Sequence, residues 1–98
     1  MTAAAKIRRP KPLTETEIYE HRVMDNAVAW TAFVQVHPFD RRRREGATLE
    51  EALELAKPLL ADTGRKIMIY AIDAEGHDCM VGFVDLNGAF KSATAPRR

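Results

Sequence analysis

In the stretch AVAWTAFVQV, residues 27 to 36, every second side chain is apolar: Val28, Trp30, Ala32, Val34 and Val36. The opposite set holds Ala29, Thr31, Phe33 and Gln35, and runs on to His37. A period of two marks a strand, and the wholly apolar set is expected to face the core. His37-Pro38 should end it, because proline donates no hydrogen bond and the residue before it stays extended.

Further along the period changes. Leu49, Ala52, Leu53, Ala56 and Leu60 recur at spacings of three and four, one stripe of a helix. Thr48 is its expected N-cap, and Glu51, three residues on, is expected to reach back in a capping box. Pro58 falls inside the pattern and predicts a kink or a looser last turn; Gly64 is the expected stop.

The period of two then returns in RKIMIYAID and HDCMVGFVDL, separated by Ala74-Glu75-Gly76. A three-residue hairpin loop with Gly76 left-handed pairs Ala71 with Cys79. One face then carries Ile67, Ile69, Ala71, Cys79, Val81 and Phe83. The other carries Met68, Tyr70, Ile72, Met80 and Val84, with Asp78 and Gly82. Both faces are largely apolar.

Two segments have a weaker pattern. TEIYEHRVM mixes the strand formers Ile18, Tyr19 and Val23 with charge, as an edge strand tolerates, and Asp25-Asn26 would turn it into the next strand. Residues 38 to 47, with Arg41, Arg42, Arg43 and Arg44, read as a loop.

The expected fold is α+β: a four-stranded sheet from two β-hairpins joined by one helix, in the order β-β-α-β-β, with that helix on one sheet face. If the second and third strands are neighbours, the helical crossover makes them parallel. Residues 13–90 form the expected domain, flanked by a disordered basic arm, 1–12, and a disordered basic tail, 91–98.

Charge sharpens the picture. The net charge is only +1, but residues 1–12 hold Lys6, Arg8, Arg9 and Lys11 and no acid, while 91–98 add Lys91, Arg97 and Arg98. The middle is acidic, at −6, with 14 acids against 8 basic side chains. Four of those 8 are the arginine run. A duplex-binding face is usually basic over a wide area. Here the run is a small positive island, and weak, salt-sensitive binding is the most it predicts. Asp40, Glu45, Glu50 and Glu51 lie near enough to balance it as a solvated loop.

Chemistry is sparse. His77-Asp78-Cys79 is the one nucleophile-like cluster, but neighbours on a strand point to opposite faces, and Cys79 is expected in the core as an inert thiol. His21, His37, His77 and Cys79 match no close metal-ligand spacing, so no metal or other cofactor is expected. The scattered glycines form no phosphate loop. No apolar run approaches the roughly 18 residues of a membrane span. With a lone Cys79 and no apolar leader, the cytoplasm is the expected location.

One helix about 10 Å wide cannot cover both faces of four strands. Phe33, Met68, Tyr70, Ile72, Met80 and Val84 would then stand uncovered, as at an interaction site. The reading is a non-enzymatic interaction domain that forms a homodimer through its sheet. The alternative is a nucleic-acid accessory protein that uses Arg41–Arg44 and the basic arms.

Overall fold

The computed structural model describes residues 13–94. It is α+β, with two helices and a five-stranded antiparallel sheet. The elements are α1 (Glu15–Asp25), β1 (Ala27–His37), β2 (Asp40–Gly46), α2 (Leu49–Thr63), β3 (Ile67–Asp73), β4 (Asp78–Val84) and β5 (Phe90–Ser92). The sheet order is β2-β1-β3-β4-β5. The expected arm, 1–12, lies outside the described residues, as does 95–98 of the expected tail.

The expected first strand is a helix. Thr14 caps it: its hydroxyl accepts from the Glu17 N–H at 3.1 Å, and the Glu17 carboxylate accepts from the Thr14 N–H at 3.2 Å. Two orphan donors are thereby satisfied. Tyr19 and Val23, four apart, face the sheet, and Val23 is fully buried. Asn26 is not a hairpin turn but the helix stop, its amide and side chain both donating to the Arg22 carbonyl.

The arginine loop is also corrected. Asp40–Gly46 is the edge strand β2, in register with β1 from Gln35↔Arg41 to Trp30↔Gly46. This strand changes the topology. It reverses the chain once before α2, so β3 returns antiparallel to β1, not parallel.

The second helix matches expectation in its bounds and stop. Thr48 accepts from the Glu51 N–H, and Gly64 ends the helix in a left-handed conformation, φ 64°. Glu51 reaches back one residue further than a capping box requires, to the Ala47 N–H at 2.9 Å. The helix runs through Pro58 to Thr63.

Both helices pack on the same sheet face. Val23 of α1 and Ala56 and Leu59 of α2 share one core with Ala32, Val34, Ile67, Ile69, Ala71, Cys79, Val81 and Val84. Each large aliphatic side chain buried there contributes roughly 1.5–3 kcal/mol relative to exposure. Val28, expected in the core, is 57 % exposed, because the register shifts between Ala27 and Ala29.

A second bulge moves Val84. Tyr70 pairs with Met80, but Ile69 pairs with Gly82, so Val81 is an extra residue on β4. Beyond it every side chain changes side. Val84 enters the core, and Phe83, opposite Met68, joins the other face. Lys91 and Ser92, expected in the tail, pair with Phe83 and Gly82 in β5.

Candidate interaction face of the sheet

With both helices on one side, the other face has no described element over it. Strand pairing orders its side chains in rows. One row runs Arg43, Phe33, Met68, Phe83 and Lys91 across β2, β1, β3, β4 and β5. The next runs Glu45, Thr31, Tyr70 and Met80. A third holds Ala29, Ile72 and Asp78. Of the six residues read from the sequence as this face, Phe33, Met68, Tyr70, Ile72 and Met80 stand on it, and Val84 does not. Phe83 stands there instead; sequence periodicity missed it because the bulge breaks the period.

The face is a packed aromatic surface rather than a loose one. The Phe33 and Tyr70 rings meet edge-on, 6.3 Å apart, a favoured arrangement for ring quadrupoles. Lys66 Nζ lies 5.0 Å from the Phe83 ring centre. Thr31, Phe33, Arg43, Tyr70, Ile72 and Asp78 line an open hollow of about 250 Å³. Thr31 is buried, and its hydroxyl has no hydrogen-bond partner among the described residues.

The arginine run is divided by the pleat. Arg41 and Arg43 share the open face with Gln35 and Phe33; Arg42 and Arg44 take the helix side, opposite Val34 and Ala32. Arg42 clamps Asp40 through two bonds of 3.2 Å, and that guanidinium holds the Asp40 carboxyl below its usual range. Arg41, Arg43 and Arg44 form no ion pair among the described residues.

A larger hollow, about 490 Å³, lies between α1 and the β3–β4 hairpin, beside Tyr19, Arg22, Asp73 and His77. Its chemistry is structural. Asp73 accepts from the N–H groups of Glu75 and His77, and His77 Nδ1 lies 3.1 Å from its other oxygen. Burial opposes the charged Asp73, yet these donors outweigh it and lower its pKa. The Tyr19 hydroxyl donates to the Asp78 carbonyl. Cys79, on the core face, is buried, and burial pushes its thiol up to about 11, which disfavours the reactive thiolate. Among the described residues no group of His, Cys, Asp or Glu could hold a metal ion, and no helix is long and apolar enough to cross a membrane. Comparisons with models of known families, with curated proteins and with solved structures find no match.

Proposed function

We propose that the protein is a non-enzymatic interaction domain that forms a homodimer through the open face of its sheet. The observation that carries this reading is the one-sided packing of both helices, which leaves Phe33, Met68, Tyr70, Ile72, Met80 and Phe83 without a covering element among the described residues. A second copy is the occupant because the two central rows complement each other. Consider a two-fold axis in the interface, running across the strands midway between those rows. It sets each row over the other row of the partner. Arg43 then meets Glu45 of the second copy, twice by symmetry. Met68 meets Tyr70, and Phe83 meets Met80, both thioether–aromatic contacts. Stacked sheets cross near −30°, which at β2, two strands or roughly 10 Å from the central strand β3, displaces the rows by about 5 Å. An arginine spans that offset.

The test is a charge swap. Arg43→Glu should convert the dimer to monomer by light scattering, and Arg43→Glu with Glu45→Arg should restore the dimer. A single variant that stays dimeric, or a double variant that stays monomeric, contradicts this two-fold arrangement.

A second reading, contact with nucleic acid through the arginine run, is favoured by one observation. Only Arg42 of the run is engaged by an acid among the described residues. Arg41, Arg43 and Arg44 remain as donors for phosphate.

A further inference from the structure

We propose that the tip of the β1–β2 hairpin is a contact for single-stranded nucleic acid, in which Phe39 stacks on an unpaired base and Arg41 and Arg43 hold the phosphates. It rests on the second reading above and applies to the monomer, because the two-fold arrangement would engage Arg43 with Glu45 of the second copy.

Phe39 sits at the tip between β1 and β2 and is 95 % exposed. A single exposed apolar residue is ordinary. This one is different in its surroundings. Its N–H donates to His37 Nδ1 at 3.2 Å, and the two rings stand edge-on, 6.5 Å apart. Because Nδ1 accepts that bond, the proton of the neutral imidazole is on Nε2, at the far side of the ring, where it can donate to a ligand. The tip thus offers a free aromatic face and a fixed donor together.

The charge beside the tip fits an anion. Asp40, the acid next to Phe39, is neutralised by Arg42 through both carboxylate oxygens. Arg41 and Arg43 follow on one side of β2, roughly 6.8 Å apart, and form no ion pair among the described residues. Arginine suits phosphate because its planar fork donates two parallel bonds. In sequence, 11 of the 15 basic residues fall in 1–12, 41–44 and 91–98.

The same distribution favours a single strand over other anionic partners. Residues 13–90 carry −6, which opposes the wide footprint of a duplex. A single strand needs only a narrow basic track and an aromatic ring, since every base has a face to stack. An anionic membrane would meet the same opposing charge, with only one aromatic ring at the tip to enter it.

The test titrates the full chain into a labelled mixed-sequence single-stranded oligonucleotide at low ionic strength. A duplex of equal length and vesicles of anionic phospholipid form parallel arms. The single strand should bind most tightly. Phe39→Ala should weaken it roughly fivefold or more. Arg41→Ala should lower the slope of log affinity against log salt by about 0.7. The Phe39 variant should unfold at the wild-type temperature, since that ring lies outside the core. Absence of single-strand binding by the wild type overturns the nucleic-acid reading and this proposal with it. Binding unchanged by Phe39→Ala overturns the tip alone and leaves the arginine reading standing. Preference for the duplex or the vesicles overturns the single-strand assignment.

Discussion

Gly82 shows how much one position decides. It is buried where β5 crosses close to β4, and a β-carbon built on it would lie 2.8 Å from the Phe90 ring and against the Lys91 carbonyl. The ring could move; the backbone carbonyl could move only with the strand. Gly82→Ala should therefore cost about 1–3 kcal/mol in urea unfolding, as overpacking of a tight site does, with β5 the element displaced. An unchanged midpoint would mean that β5 does not lie this close. Residue by residue, the sequence reading succeeds where one period rules. Ile67, Ile69, Ala71 and Cys79 are all in the core, as their alternation requires. It fails at Val84, because the extra residue at Val81 turns the end of β4 over and leaves no mark on the apolar pattern.

Short elements are decided by capping and turn chemistry more than by apolar period. TETE, at Thr14 to Glu17, satisfies the capping-box pattern and was the available signal for α1. The stripe behind it was thin, with Tyr19, Val23 and Met24 packing on the core amid charged neighbours. β2 was illegible for a physical reason: an edge strand of arginines has no apolar side to alternate. β5 did have a signal. DLNGA repeats the form of DAEGH, an aspartate followed three residues later by glycine. In both, the aspartate side chain accepts N–H groups two and four residues on, and the glycine has φ of 88° or 85°. Two hairpins therefore share one turn.

That shared turn predicts a pH dependence. Asp73 is depressed despite burial by its His77 and Glu75 donors, and Asp85 chiefly by the Ala89 and Asn87 amides. A carboxyl depressed in the folded state contributes stability above its unfolded pKa and loses it as pH falls through the folded value. Stability should thus decline as pH drops below about 4. Asp73→Asn and Asp85→Asn should be less stable than wild type at pH 7 and show a shallower decline. Urea midpoints at pH 7 and pH 3 measure both, and a decline as steep in the double variant would assign the effect to other acids.

At the scale of the whole molecule, among the described residues, five strands carry two helices on one side and leave the other side to aromatic, methionine and arginine side chains. The uncovered face was legible because β3 and β4 are apolar on both sides. The charge pattern was legible too, but its geometry was not: whether the arginines stood in a loop or on a pleated edge depended on β2. The central claim is that this face is closed by a second copy of the chain. The mass of the wild-type protein in solution, followed by sedimentation equilibrium from low to high micromolar concentration, tests it most directly. The expected result is convergence on twice the 11.0 kDa chain mass as concentration rises. A mass that stays at 11.0 kDa throughout would contradict the claim.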